Sequence, residues 1–370
     1  MKFLFFSPVV WNFYKLQNQV LAASLAEKGY DVIYVEPVKY KNWQKNSRFS
    51  SLSENDKPDK LSIVEREIGI FKSLLVFLYE NYNNVRQIAK HKPDMVVSYD
   101  HLMSLLPCLY CYIKKIKFVF NVSDDWDNIP QSESAVLAWK SIIKPLIAKF
   151  SFAIASISHK QFIVFSKKNK NTYILPNGIS MSFVDKLADI KEDVEQNTVN
   201  FIANLRDWYD FDLLFEVFNE MPDFQLNIYG LGPLYENLIE KAKSYKNIKM
   251  MGNVNHQDTV QLLKDSVIGV LPLKNNILND STCPVKLFDY WAAQKAVVAA
   301  PTYELETIGS DCILFACTKD EWIKQIRFLI ENPLRREFLG MTAYEKIIDK
   351  YNYNVITERF IKQIVKSNSD

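Results

Sequence analysis

Lys286 and Asp289 carry the most specific chemistry legible in this chain of 370 residues. They stand three positions apart in Pro284-Val285-Lys286-Leu287-Phe288-Asp289-Tyr290-Trp291-Ala292-Ala293, a spacing that sets both on one helix face. Pro284 and Val285 open that helix after a polar loop, Asn275 to Thr282. The free N–H groups of a first turn, with a cation beside them, favour a phosphate. A carboxylate nearby can accept hydrogen bonds from ribose hydroxyls. An ordinary helix start with a surface ion pair is the competing reading.

A second concentration of reactive groups is Ser123-Asp124-Asp125-Trp126-Asp127, which follows the strand-like run Lys117 to Asn121. Crowded carboxylates raise one another's pKa, so Asp124 or Asp125 could serve as general base toward a hydroxyl, with Asp127 behind. The same residues would also cap a following helix. His101 and His159 follow neighbouring strands and open on the same edge, where satisfied structural histidines are the plainer reading. The loop Ser7 to Tyr14 brings Trp11, Asn12 and further aromatics after the first strand. They would line an acceptor side or join the core. Cys108 and Cys111 have C-x-x-C spacing inside an apolar run without a second pair, which reads as buried thiols.

These groups need elements to hold them. Lys2–Phe6, Asp31–Val35, Asp94–Ser98, Lys117–Asn121, Phe152–Ala155 and Thr172–Leu175 read as strands separated by helix-period segments. After a polar, poorly periodic linker from Ser180 to Thr198 the pattern restarts with six more strand candidates. They are Val199–Ala203, Gln225–Tyr229, Ile248–Met251, Val267–Leu271, Ala296–Ala299 and Ile313–Phe315. The fold class expected is α/β, two doubly wound Rossmann-like domains over residues 1–180 and 198–351. Parallel sheets of this kind bind ligands beyond the carboxyl ends of their strands, so a ligand cleft is expected there.

Composition agrees with this and narrows the partners. Hydrophobic residues make up 48% and charged residues 24%, with only 9 Gly, which argues for a globular chain throughout. Residues 1–180 hold 24 Lys and Arg against 15 Asp and Glu, a net of +9, while the remainder is −7. A basic first half suits anionic lipid headgroups or a phosphorylated lipid acceptor, against the plainer reading of a solvated lysine surface. No apolar stretch reaches the ~20 residues of a spanning helix. Five scattered cysteines fit a reducing compartment. A cytoplasmic location, with attachment to the inner face of the membrane as an option, is therefore expected, and no nucleic-acid partner.

The segment from Pro284 to Pro301 resembles the P-x-K-x-x-E-Y-x-A-x-G-x-P-V-V stretch of bacterial family-4-like and related GT-B glycosyltransferases, and the resemblance extends over nearly the whole chain. It implies that Lys286 contacts the donor phosphates and Asp289 the ribose. Asp289 stands where the family usually has Glu, Gln294 where it has Gly, and Ser281 where retaining members carry a further Glu. By the same resemblance Arg206, in Asn204-Leu205-Arg206-Asp207, meets the donor diphosphate, as guanidinium geometry allows. A surface Arg206–Asp207 pair is the alternative. Met251-Gly252-Asn253-Val254 resembles the G-x-V turn that reads the base, with Val254 as an apolar wall, and Gly230-Leu231-Gly232 is a glycine turn. Asp124-Asp125-Trp126 resembles the D-D-W loop of polysaccharide transferases, and Pro176-Asn177-Gly178 the turn ending the first domain.

The resemblance implies a glycosyltransferase moving a sugar from a nucleoside diphosphate sugar, a uridine one above all, to a hydroxyl of a bacterial surface glycan or lipid-linked acceptor. Asp124 and Asp125 would act on the acceptor. Neither a cofactor nor a metal is expected, the nucleotide sugar being a co-substrate. The last segment, 352–370, would cross back to the first domain as an amphipathic helix. A sugar-nucleotide epimerase on the same architecture, and a binding subunit without turnover, are the alternatives.

Overall fold

The computed structural model describes residues 1–7, 11, 17–37, 58–66, 74–99, 104–122, 134–190 and 197–365. Chain contacts divide into two units, Met1–Pro176 with Ile356–Asp370, and Asn177–Val355.

The first unit is built on a seven-stranded parallel sheet of order β3-β2-β1-β4-β5-β6-β7. The strands are β1 (Lys2–Phe6), β2 (Asp31–Pro37), β3 (Leu61–Arg66), β4 (Met95–Ser98), β5 (Lys117–Val122), β6 (Ala153–Ser156) and β7 (Thr172–Ile174). β1 lies between β2 and β4 with Phe3 opposite both Val32 and Met95. Its run Phe3-Leu4-Phe5-Phe6 is wholly buried because both faces of such a sheet are covered. Side chains alternate. Leu4 and Phe6 face a core closed by α2 (Leu74–His91), α3 (Leu105–Lys114), α4 (Ser134–Phe150) and α5 (His159–Ser166), through Ile88, Cys108, Cys111, Ile143, Ile147 and Phe165. Phe3 instead meets Tyr30 edge-on at 5.4 Å and Phe360 at 6.5 Å. On that side lies α1 (Gln17–Glu27), and Lys28 pairs with Glu358 at 3.0 Å. β3 had no counterpart among the expected strands. Its sequence, Leu61-Ser62-Ile63-Val64-Glu65-Arg66, ends in charge at the sheet edge, where an apolar run is not required.

The 180–198 segment is not all linker. Residues Met181–Ala188 form α6 and bury Phe183, Val184 and Leu187, a single apolar side too short for a clear helical period. Beyond it lie two three-stranded parallel sheets, of order β10-β9-β8 and β11-β12-β13. Their strands are β8 (Thr198–Ile202), β9 (Gln225–Tyr229), β10 (Ile248–Gly252), β11 (Gly269–Leu271), β12 (Val297–Ala299) and β13 (Ile313–Phe315). The Val267 amide donates to the Thr198 carbonyl at 2.9 Å and sets β11 beside β8. The series then reads β10-β9-β8-β11-β12-β13, whose order reverses between β8 and β11. Open parallel sheets bind ligands beyond the carboxyl ends of their strands at such a reversal. Helices α7 (Phe211–Asn219), α8 (Tyr235–Ala242), α9 (His256–Asp265), α10 (Ile277–Ser281), α11 (Val285–Ala292), α12 (Tyr303–Gly309), α13 (Lys319–Glu331) and α14 (Pro333–Lys346) connect the strands or follow them. The final stretch is α15 (Tyr353–Phe360) continued by a π-helical turn, Ile361–Val365. Among the described residues no helix is long and apolar enough to cross a membrane.

Candidate functional site

The loops that follow β8 and β11 are fixed to each other by a small set of bonds. Asp210 N–H donates to the Pro272 carbonyl at 2.7 Å and Lys274 N–H to that of Trp208 at 2.9 Å. The Asn279 amide completes the clamp, donating to the carbonyls of Trp208 and Lys274 at 2.9 and 2.7 Å. Asn276 and Asp210 cap the helices that leave these loops. A polar segment without apolar periodicity is thus held to one geometry by side chain to backbone bonds.

The loop after β9 is pressed against the first of these. Leu205 N–H donates to the Leu231 carbonyl at 2.9 Å and Leu234 N–H to that of Leu205 at 3.1 Å. Gly230 has φ +120, and a Cβ there would lie 1.8 Å from the Ala203 oxygen. At Gly232 it would lie 2.3 Å from the Leu205 oxygen. Glycine is therefore a steric requirement of the approach of two backbones. After β10, Gly252 accepts the Gly230 N–H at 2.7 Å, and Val254 is half-buried just before the Asn255 cap of α9.

Lys286 and Asp289 sit on α11 beside this junction. Lys286 Nζ lies 5.9 Å from the centre of the Phe201 ring at the end of β8, and Phe201 meets Tyr209 edge-on at 5.1 Å. Both Lys286 and Asp289 are half-buried. Burial pulls the Lys286 ammonium below its ordinary range, with Asp289 opposing. Burial likewise raises the Asp289 carboxyl, with Lys286 opposing. Each charge is costly away from water, and the opposite charge three residues along offsets part of that cost. The phenol of Tyr209 is pushed up to about 12, by burial first and by Asp289 in part.

Arg206 is half-buried with its guanidinium 5.3 Å from the centre of the Trp208 ring. Its Nε is enclosed and, among the described residues, meets no hydrogen-bond acceptor. It forms no ion pair with Asp207 there. An enclosed donor on a cation without an acceptor is a place for an anion.

Two departures from the resembled pattern acquire physical content. Gln294 stands just beyond α11 with φ +59, a left-handed position natural to glycine. Ser281 is buried, and its hydroxyl donates to the Ile277 carbonyl at 2.8 Å within α10. Of the acceptor-side residues, Asn177 is buried and its amide donates to the Cys283 carbonyl at 2.6 Å, bracing the backbone just ahead of Pro284 and α11. Trp11 is buried edge-on to Tyr34 at 5.0 Å, and its N–H donates to Glu36 at 2.6 Å. Asn12, His101, Asp124, Asp125 and Trp126 lie outside the described residues. Asn279, Trp208 and Tyr209 went unnoticed as site-forming residues in the sequence. The first lies in the polar loop Asn275 to Thr282, and the other two follow Arg206 in the loop after β8.

Residues 207–362 match the family described as glycosyl transferase-like. No curated protein matches the sequence. Sucrose-phosphate synthase from Thermosynechococcus elongatus superimposes with a TM-score of 0.75 at 12% identity, over 98% of this chain and 97% of that one. HepE from Anabaena, solved with UDP and glucose, does so with a TM-score of 0.71 at 12% identity, over 99% and 100%. The lipopolysaccharide outer core galactosyltransferase WaaB, in its apo form, gives 0.68 at 12% identity, over 99% of each chain. The chain has the fold of these proteins, and its second half matches a glycosyl transferase-like sequence pattern. The matched segment begins one residue after Arg206 and takes in Lys286 and Asp289, on the helix beside the β8/β11 reversal.

Proposed function

We propose that the enzyme transfers a sugar from a nucleoside diphosphate sugar, with UDP as the carrier, to a hydroxyl of a surface glycan or lipid-linked acceptor. The observation that carries this reading is the pairing at one strand-order reversal of a helix start bearing Lys286 and Asp289 with an Arg206 whose enclosed Nε has no acceptor among the described residues. Lys286 and Arg206 hold the diphosphate and take up the negative charge that grows on it as the glycosidic bond breaks. Asp289 receives the ribose hydroxyls, and Val254 walls the base above the Gly252 turn. The likeness to a fold solved with UDP and glucose in HepE supports uridine. Asp124 and Asp125 are assigned to the acceptor hydroxyl, one of them as general base. The cationic side chains supply the charge at the leaving group, so the reading requires no further cofactor.

Thermal-shift measurements with UDP, GDP, ADP and the corresponding sugars test the donor assignment, because a ligand that binds only the folded state raises its stability by mass action. UDP and at least one UDP-sugar should raise the midpoint while GDP and ADP do not. Release of UDP from that sugar in the presence of a glycan acceptor panel then tests transfer. A protein that no nucleoside diphosphate stabilises would end the proposal.

A further inference from the structure

Between Leu105 and Val122, and again between Ser134 and Val184, the sequence holds ten lysines and not one Asp or Glu. The topology gathers these stretches. β4 to β7 follow one another across the sheet, so the right-handed connections α3, α4 and α5 lie on one face together with α2. Their inner sides share the single core that holds Cys108, Ile147 and Phe165. Their outer sides therefore form one surface.

That surface is apolar as well as basic. Tyr112 and Ile113 at the end of α3 are 61% and 74% exposed, Ile142 on α4 is 65% exposed, and Leu146, Ile163 and Val164 also face outward. Ile142 and Leu146 are one turn apart on α4, and Tyr112 packs edge-on to Phe150 at the end of the same helix, at 5.2 Å. Lys114, Lys115, Lys149, Lys167, Lys168 and Lys170 are exposed around them. Lys144 of α4 and Lys168, just beyond α5, both lie near the Phe165 ring, at 5.6 and 5.5 Å from its centre, so the two helices share a lysine-bordered contact. On α2 the one carboxylate is Glu80, which is buried. Among the described residues, then, the outward side of α2 to α5 carries protruding aliphatic and aromatic groups inside a positive field that no carboxylate offsets.

We propose that this helical face docks on a bilayer containing anionic lipid. Lysine stems lie along apolar surface and carry their ammonium groups outward to headgroup phosphates, while Ile113, Ile142 and Leu146 reach the acyl boundary. Neither component suffices alone. Exposed aliphatics are held too few for stable insertion, and a purely electrostatic surface would not need them. The proposal stands on this face alone and does not depend on the donor site, although a membrane-bound enzyme would meet a lipid-linked acceptor directly.

Flotation of the full chain with vesicles is the test. The protein should float with an equimolar phosphatidylcholine–phosphatidylglycerol mixture, stay behind with phosphatidylcholine alone, and be released by high salt. Lys114→Glu with Lys115→Glu and Lys149→Glu should weaken partitioning by about 100-fold, at roughly fivefold or more per lysine. Ile142→Ser with Leu146→Ser should weaken it by about tenfold and leave residual, wholly salt-sensitive binding. The UDP-induced thermal shift, measured on each variant, reports folding, and its loss in the wild type would count against the donor assignment only. Equal recovery of wild type on both vesicles overturns the proposal, as do variants that float like wild type. Sedimentation without lipid that shows a dimer abolished by Ile142→Ser with Leu146→Ser would instead make the face a contact between copies.

Discussion

Among the described residues, the β1/β4 and β8/β11 strand-order reversals carry different kinds of side chain. In the first unit the described polar residues near the β1/β4 reversal and the adjoining end of β5 include neutral amides. Asn121 donates to Gln17 and Asn18 at 3.1 Å each, and Gln17 donates to the carbonyls of Leu175 and Pro176 at 2.6 and 2.8 Å. All three are buried. In the second unit the β8/β11 reversal carries Arg206, Lys286 and Asp289, each only half-buried at the residue level. Amides can be enclosed when their bonds are made inside the chain, whereas a charge needs a counter-charge or water. Among the described residues the amides of the first junction bond to one another and to the Leu175 and Pro176 carbonyls, with Asn18 Nδ2 and Asn121 Oδ1 left without a partner, whereas the second junction keeps a cationic Nε without an acceptor.

The largest effect should come from Gly230→Ala, which drives a Cβ into the Ala203 carbonyl at a positive φ. We expect a loss of about 3 kcal/mol or more in urea unfolding, confined to the second unit. A neutral outcome would mean that the loops after β8 and β9 are not in contact as described. Next, Lys286→Ala should weaken UDP binding by about 100-fold, the scale for removing one partner of an enclosed charged contact. Retained affinity would erase the contrast between the two reversals. The same contrast sets a pH dependence. Because burial lowers the Lys286 pKa, the cation discharges earlier than an ordinary lysine as pH rises, so UDP affinity should fall on the alkaline side. Binding there should draw in a proton, read as a buffer-dependent enthalpy in calorimetry.

A smaller change is expected from Asn121→Ala. It strips Gln17 and Asn18 of their donor and should cost about 1–3 kcal/mol of first-unit stability while leaving the UDP shift unchanged. A lost UDP shift would show that the amide junction and the charged junction are coupled. The smallest effect is a gain. Gln294→Gly relieves the left-handed backbone after α11, and unfolding should become harder by about 1 kcal/mol.

All six strands of the second unit were legible as short segments between turn residues: β8, β11 and β12 are buried throughout, while β9 and β10 alternate buried and more exposed positions. β3 and α6 were not, since an edge strand and an eight-residue helix bury only a fraction of their side chains and their polar remainder reads as loop. The candidate site was legible where one helix supplies both groups, as with Lys286 and Asp289, because helical spacing alone sets them on one face. Asn279 and Arg206 are different. What they touch, the Trp208 carbonyl and Trp208 ring, is 71 residues from the first and two from the second. Nothing in local spacing distinguishes those partners.

From the amino-acid order alone came the α/β class, the repeat of the strand and helix pattern, and the local pairing on α11, all properties of neighbours along the chain. The packing of distant segments decided the rest: the order of strands that reverses between β8 and β11, the Nε of Arg206 enclosed without an acceptor among the described residues, and the gathering of lysine-bearing helices on one side of a sheet. Sheet order and burial depend on which segments, far apart in the chain, share hydrogen bonds and core. That choice is made by the whole set of contacts together, and no window of the sequence contains it.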